Sequence, residues 1–126
     1  MANPVLTKSY IAEAAVLPYR VVKYGTADGQ AVQSAAAGDA HMGIADNLGQ
    51  ATVGGRVDVI RSGQAEAEAG AAITRGALLS SDASGRVITA AAAAGSNVRV
   101  IGVADANAGG AGEIIPVLVT PGSFQG

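Results

Sequence analysis

Two aspartates follow the same short motif in this chain, and paired carboxylates are what acid–base catalysis or cation binding requires. Asp46 ends "GIAD" and Asp105 ends "GVAD". A hydrolase or lyase could use both side chains together with His41, but no cluster of further metal ligands accompanies them. Each aspartate follows an apolar segment. The predicted role of both is therefore to end a strand and cap the turn that follows.

The single histidine and the absence of cysteine limit the chemistry further. His41, Asp46 and either Ser34 or Ser62 can be drawn as a triad, but no G-x-S-x-G motif is present to make a nucleophile elbow. One histidine and no thiolate exclude the His/Cys clusters of zinc sites. "GGAGE" lacks the Lys-Ser/Thr of a phosphate-binding loop and is interpreted as a flexible turn. We therefore predict no catalytic, cofactor-binding or metal-binding residue, and a protein that is not an enzyme.

The composition argues against a nucleic-acid-binding surface and indicates a lean core. The net charge is −2, and the eight basic residues are scattered singly. A surface that follows a phosphate backbone needs grouped Lys and Arg, often with aromatic residues for stacking. Only 3% of the residues are aromatic, whereas 18 are glycine. Because small side chains bury little apolar area each, we expect this domain to gain stability from a partner or from oligomerisation.

No segment of the sequence has the features of a signal peptide or a membrane span. Lys8 and Glu13 interrupt the apolar residues near the N-terminus. No run of about 20 apolar residues occurs. We therefore expect a protein that is made in the cytoplasm and has no membrane partner.

From Tyr19 onward, short Val- and Ile-rich segments bounded by Gly, Asp, Asn and Ser predict a mainly β domain. Ser62-Gly63 is expected to join "GRVDVIR" and "QAEAEA" as a hairpin, since the second segment alternates with period two. The alanine run at 90–94 is expected to be a loop or a frayed strand end, because it is too short to nucleate a helix. The predicted strands are YRVVKY, AVQSA, HMGIAD, GRVDVIR, QAEAEA, ALLS, GRVITA, VRVIGVA and EIIPVLVT.

The first 18 residues differ from the rest because they contain Pro4 and Pro18 but no glycine. "TKSYIAEAAVL" fits either a short helix or an extended arm. We predict an N-terminal arm over residues 1–18, followed by a single β-rich domain over residues 19–126.

The G-[IV]-A-D motif is one part of a longer internal similarity. Asp28-Gly29 and Ser84-Gly85 each open a short strand that leads to an alanine tract, and a Val/Ile-rich run follows each G-[IV]-A-D. We predict two half-barrels related by a pseudo-twofold axis, roughly residues 19–69 and 70–122, each too small to bury its own face. Chance similarity in a chain rich in alanine and glycine is the alternative.

The chain resembles the capsid cement (head decoration) proteins of tailed bacteriophages over essentially its whole length. The resemblance implies a small β-barrel or β-tulip-like fold with an extended N-terminal arm, and homo-oligomers, commonly trimers. It also implies binding to the major capsid protein on the outer surface of the expanded head, stabilised contacts between capsid subunits, and no enzymatic role. The segments that carry it are MANPVLTKSYIAEAAVLPYRVVKYG, GIADNLG, GRVDVIRSGQAEAEAGAAITRGALLSSDASGRV, RVIGVAD and VLVTPGSFQG.

The arm is the predicted contact with the capsid. Termini are usually disordered unless something ties them down, and an extended segment can add as a strand to the exposed edge of a neighbour. A short helix or strand folded back on the protein's own barrel is the alternative. The residues predicted to contact the major capsid protein or an adjacent cement subunit are Pro4, Val5, Leu6, Tyr10 and Ile11.

A β-barrel ligand- or carbohydrate-binding module on the virion or cell surface is the alternative function. Sugar-binding surfaces usually present exposed aromatic rings, and three tyrosines with one phenylalanine leave little for such a surface.

Overall fold

The computed structural model describes residues 2–125, and within them the protein is all-β with no helix. The mainly β prediction is confirmed. Met1 and Gly126, the outer limits of the predicted arm and domain, lie outside the described residues. The strands are β1 (Asn3–Ala12), β2 (Val21–Tyr24), β3 (Gln30–Gln33), β4 (His41–Ala45), β5 (Arg56–Glu68), β6 (Leu78–Ser81), β7 (Val87–Thr89), β8 (Asn97–Ala104) and β9 (Ile114–Gln125).

The strands form one mixed sheet that is partly closed. Neighbours are hydrogen-bonded in the order β1-β3-β2-β4-β5-β9-β8-β6-β7, and β1 also pairs with β5. This additional pairing closes β1, β3, β2, β4 and β5 into a ring, and the other four strands continue the sheet from β5. Over residues 2–125 the architecture is therefore a partly closed nine-stranded sheet, where the resemblance implies a small β-barrel or β-tulip-like fold.

The N-terminal segment contributes a strand to this sheet. β1 runs antiparallel to β5, from Asn3 opposite Gln64 to Ile11 opposite Arg56, and its last two residues pair in parallel with β3. Tyr10 and Ala12 are buried while the intervening Ile11 is exposed, which is the period-two alternation of a half-buried strand. The structure thus shows the alternative left open by the sequence, a strand folded back on the protein's own sheet, and no helix between residues 7 and 17.

The predicted hairpin at Ser62-Gly63 is wrong, because β5 continues through both residues. Gly63 has a φ of 87°, and a Cβ placed there would lie 2.4 Å from the backbone nitrogen of Val5. The glycine therefore permits a close approach of β1 rather than a reversal of the chain. Residues 56–64 of β5 lie along β1 and residues 63–68 pair with β9, so Gly63 and Gln64 pair with both strands. The alanine run at 90–94 lies outside the strands, as predicted.

The strands before Gly63 and those after it form similar parts of the sheet. We name residues 3–62 the first half and residues 63–125 the second half. The order β3-β2-β4-β5 in the first half is matched by β7-β6-β8-β9 in the second, and the halves meet where β5 pairs with β9. In the second half the end of β5 takes the place that β1 has in the first. It pairs with β9, and Ala69 bridges Val87 in parallel as Ala12 pairs with Ala31.

The segments that follow β1 and β5 also correspond, at an offset of 57 positions. "AEAAVLPYRVV" begins at Ala12 and "AGAAITRGALL" begins at Ala69. The bridges that follow are equivalent too, Val16 with Gln50 and Ile73 with Ala108. At the next turn Tyr19 has a φ of 62°, and its counterpart Gly76 has a φ of 89°. A tyrosine in the left-handed region is uncommon, and here it occupies a turn that the second half makes with glycine.

The core consists mainly of small and aliphatic side chains, as the composition predicts. It forms two clusters. The larger cluster includes Ile44, Leu79 and Ile101 and draws on both halves. The smaller one surrounds Met42 in the first half and contains Tyr10. β1 thus contributes buried side chains as well as backbone hydrogen bonds.

Candidate interaction surface

The two aspartates of the repeated motif have separate structural partners. Asp46 Oδ1 accepts hydrogen bonds from the backbone N–H groups of Leu48 and Gly49 at 3.0 and 3.2 Å. The predicted turn cap is therefore confirmed for Asp46. Asp105 Oδ2 instead accepts a hydrogen bond from the side-chain amide of Gln64 at 2.8 Å. Within residues 2–125 no group of three or more His, Asp and Glu side chains could hold a metal ion.

His41 lies in the core between serines from the two halves. Its Nδ1 is 2.9 Å from Ser34 Oγ, and its Nε2 is 3.5 Å from Ser80 Oγ. His41 is 6% exposed and both serines are buried. Burial lowers the pKa of His41, although the nearby carboxylate of Asp39 acts in the opposite direction. The His41 imidazole thus lies between one serine from each half, while Asp46 caps its turn and is not a hydrogen-bond partner of His41.

The predicted contact residues of the arm fall into two groups in the structure. Pro4, Val5, Leu6 and Ile11 are exposed, whereas Tyr10 is 6% exposed and packs in the smaller core cluster. Val5 is 83% exposed and is the extra residue of a bulge, because Pro4 pairs with Gly63 and Leu6 with Ser62. An apolar side chain on a bulge is directed away from the ladder. The outer face of β1 is therefore available to a partner, and Tyr10 is not part of it.

The first half exposes more apolar side chains than the second. We name Leu17, Leu48 and Val53 the apolar edge. Leu48 and Val53 lie on the loop between β4 and β5, and this loop passes close to Leu17, since a Cβ placed at Gly49 would lie 2.8 Å from the Leu17 carbonyl carbon. Their second-half counterparts are small or polar. Those counterparts are Thr74, at the offset of 57, and Ala106 and Ala111, whose positions follow from the equivalent bridge residues Gln50 and Ala108. The large exposed apolar residues of the described chain are Val5, Leu6, Ile11, Leu17, Tyr24, Leu48 and Val53 in the first half and Leu78, Ile114 and Leu118 in the second.

A groove of about 490 Å³ lies beside the C-terminal part of β1, and we name it the Tyr–Arg groove. It is lined by Lys8, Tyr10, Tyr24, Arg61 and the turn at 25–29. The Arg61 guanidinium donates to the hydroxyl oxygens of both tyrosines, at 2.7 Å for Tyr24, and its Nε–H donates to the Met42 carbonyl at 2.7 Å. Lys8 Nζ lies 5.3 Å from the centroid of the Tyr10 ring, within the range of a cation–π interaction.

Arg61 reaches the two tyrosines because it is the extra residue of a β-bulge. Leu6 pairs with Ser62 and Thr7 pairs with Ile60, which leaves Arg61 without a partner on β1. A bulge re-aims the side chain of its extra residue. Sequence reasoning missed this residue, although a signal was present. In "RVDVIR" the alternation set by Val57 and Val59 fails at Ile60, one position before Arg61.

The described chain contains no helix that is long and apolar enough to cross a membrane.

A family model and a solved structure are both similar to this chain. A family model described as Phage cement protein matches residues 3–120. Among solved structures, the chain is similar to the crystal structure of the head fiber gp8.5 N base in bacteriophage phi29, with a TM-score of 0.66 and 17% identity. That similarity covers 91% of this chain and 93% of the other, and at this identity it shows a shared fold. No curated protein sequence matches the chain.

Proposed function

The chain belongs to the phage cement protein family, and from this membership we propose that it binds the outer surface of the expanded phage head and holds neighbouring major capsid subunits together. The family is a structural one, non-enzymatic and part of the virion capsid. Attachment to the expanded lattice would stabilise that lattice by mass action, by RT ln(1 + [L]/Kd) for each occupied site.

The observation that carries the proposal is the uneven exposure of apolar side chains. Both halves build the same set of strands, so the second half serves as an internal reference for what the fold itself needs. Leu17, Leu48 and Val53 are replaced there by small or polar residues, and the fold is kept. Exposed apolar residues that the fold does not need favour a binding role. We therefore assign the apolar edge and the outer face of β1 to the capsid contact.

The predicted contacts of the arm stay in the proposal with one change. Pro4, Val5, Leu6 and Ile11 are proposed to contact the major capsid protein or an adjacent cement subunit. Tyr10 is proposed to act through the Tyr–Arg groove, because it is largely buried, lines the groove and accepts a hydrogen bond from Arg61 at its hydroxyl.

A closed homo-oligomer, commonly a trimer in this family by resemblance, is also proposed. Exposed apolar residues remain on the second half, at Leu78, Ile114 and Leu118. A cyclic assembly would bury part of this surface and leave the first half free for the capsid. Multi-angle light scattering at tens of micromolar tests it, and a monomer both free and eluted from heads contradicts it.

The experiment for the main proposal measures attachment to expanded heads prepared without the protein. The double variant Leu48→Ser/Val53→Ser is expected to attach at least tenfold more weakly, because each side chain loses about 1 kcal/mol or more of apolar burial at the contact. Both residues are exposed, so the melting temperature of the free protein should change little. The matched control is Ala111→Ser on an exposed loop of the second half, which should attach normally.

Heads decorated with the wild-type protein should retain their DNA to a higher temperature than bare heads. Equal release curves for decorated and bare heads contradict the cement role. Full attachment of the double variant contradicts the assigned face and leaves the cement role in place.

A further inference from the structure

The Tyr–Arg groove presents hydrogen-bond donors without a matching acceptor. Arg61 donates to the hydroxyl oxygens of Tyr10 and Tyr24, so the O–H hydrogen of each tyrosine must point to another acceptor. The guanidinium carries five N–H donors, of which three are used. The ammonium group of Lys8 stands beside the same groove and is also donor-only. The groove therefore suits an acceptor-only group.

The charges of the groove are not neutralised by the described chain. The ion pairs among residues 2–125 involve Arg20, Lys23 and Arg86, and none of them involves Lys8 or Arg61. Asp28 lies on the turn at the rim, without an ion pair or hydrogen bond to Arg61. Two cations that line one groove on a protein of net charge −2 make a local positive site that complements an anion.

The second half of the sheet has no equivalent of this groove. The counterparts of Tyr10 and Tyr24 are Ala67 and Ser81. The paired strands there run in register, Gln64 with Leu118 and Gly63 with Val119, without the bulge that displaces Arg61. The same strand pairing is thus achieved without tyrosine, without arginine and without a bulge. The fold does not require the cluster, and this points to a binding role.

We propose that the Tyr–Arg groove binds a carboxylate side chain presented by the capsid surface to which the protein attaches. This inference rests on the proposed function. The carboxylate would accept from the Tyr10 and Tyr24 hydroxyls and pair with Arg61 and Lys8. An open groove, rather than an enclosed cavity, admits a side chain that remains attached to a larger partner. The contact would add charge-assisted hydrogen bonds to the apolar contacts of the first half.

The first experiment uses the free protein and two matched probes. Acetyl-Gly-Glu-Gly-amide and acetyl-Gly-Gln-Gly-amide are titrated while NMR follows the Tyr10 and Tyr24 rings and the Arg61 Nε–H. The glutamate probe is expected to give saturable shifts in the millimolar range, and the glutamine probe none. Tyr24→Phe keeps the ring and removes one donor, so it should weaken binding about tenfold. Equal shifts with both probes, or shifts by glucose alone, overturn the proposal, and the latter supports a carbohydrate-binding module.

The second experiment measures attachment to expanded heads. Lys8→Glu reverses a charge at the groove, and Arg75→Glu makes the same change of charge on an exposed residue of the second half. Lys8→Glu is expected to attach at least tenfold more weakly than Arg75→Glu at low salt, with the difference shrinking as salt is raised. Both side chains are exposed, so equal melting temperatures verify that folding is intact.

The two experiments separate the groove from the proposed function. If the wild-type protein fails to attach to heads, the cement role is wrong, and the peptide titration still decides whether the groove binds a carboxylate. If the wild-type protein attaches and Lys8→Glu attaches equally well, the capsid is not the source of the carboxylate and the proposal is overturned while the cement role stands.

Discussion

Replacing Gly102 by alanine should be among the most destabilising single changes in this protein. Gly102 lies in β8 opposite Val119 of β9, and a Cβ added there would stand 2.0 Å from the Leu118 carbonyl oxygen. The clash is with backbone, so no side-chain rotation relieves it. Cβ atoms essentially never come closer than 3.0 Å to such an atom, and the strands would have to separate by about an ångström.

The magnitude follows from that displacement. Overpacking a well-filled interior costs about 1–3 kcal/mol, and one or two stretched ladder hydrogen bonds add about 0.5–1.5 kcal/mol each. We expect a loss of about 3–5 kcal/mol, or about 10–20 °C in the melting temperature at this chain length. Gly43 is the counterpart in the first half, with its added Cβ 2.4 Å from the Ile60 carbonyl oxygen. Its smaller overlap predicts a smaller loss, about 2–3 kcal/mol.

Thermal and denaturant unfolding followed by circular dichroism measure both variants. Gly110→Ala is the matched control, because a Cβ there meets nothing within 4 Å and its φ is not positive. The control should stay within about 0.5 kcal/mol of the wild type. Since β5 is shared by both halves, each variant should shift one cooperative transition. The reasoning is refuted if Gly102→Ala melts within 2 °C of Gly110→Ala.

Three further predictions concern the first half and the contact between halves. Because the pKa of His41 is lowered in the folded protein, the unfolded chain binds the proton more readily. The free energy of unfolding is therefore at its full value above a pH of about 6.5, the ordinary pKa of histidine, and it falls as the pH drops toward the lower pKa of the folded protein. His41→Gln should remove this loss between pH 5 and 7 in denaturant titrations, and an unchanged pH profile speaks against it. Tyr19→Gly relieves a left-handed backbone that Tyr19→Ala keeps, so the glycine variant should be more stable than the alanine variant by about 1 kcal/mol in the same assay. Deletion of residues 2–11 removes Tyr10 and the partner strand of Val57 and Val59, so the melting temperature should fall by at least 10 °C; an unchanged melting temperature would show that β1 is dispensable for folding.

The strands themselves were largely predictable because their signals are local. β2, β3, β4, β6, β7, β8 and β9 overlap the short apolar segments bounded by turn residues that were predicted to be strands. The role of Gly63 and the strand β1 were not predictable in this way, because each depends on a contact between segments far apart in the chain. The local sequence around Gly63 is compatible both with a turn and with a strand that lies close to the backbone of Val5. The strand β1 is stabilised by pairing with residues about 50 positions away, which no local pattern reports.

The internal similarity was predictable from G-[IV]-A-D, but its extent was not. The predicted repeat units both began after residue 18, although "AEAAVLPYRVV" and "AGAAITRGALL" show that the correspondence starts earlier. Alanine-rich segments match one another easily, so this similarity became meaningful only when equivalent bridges and the paired turns at Tyr19 and Gly76 were seen. The Tyr–Arg groove was hidden for a different reason. Its residues are separated by up to 53 positions and are joined by one bulge.

The comparison of the two halves also explains why a structural protein with so little chemistry carries one polar cluster. A sheet assembled from two similar units needs the same small core residues in both, and the second half keeps them, with Ala67 and Ser81 where the first half has tyrosines. In the first half β1 carries one extra residue, Val5, and β5 carries one extra residue, Arg61, so the register is the same on both sides of these two bulges, and the second bulge brings an arginine to the two tyrosines. The two halves therefore differ in role. The second half keeps only the residues that the sheet needs, and the first half also presents side chains that the sheet does not need. Deleting Val5 together with Arg61 gives β1 and β5 the uninterrupted register of the second half, and it should leave the sheet folded and remove the attachment to heads together with the carboxylate response.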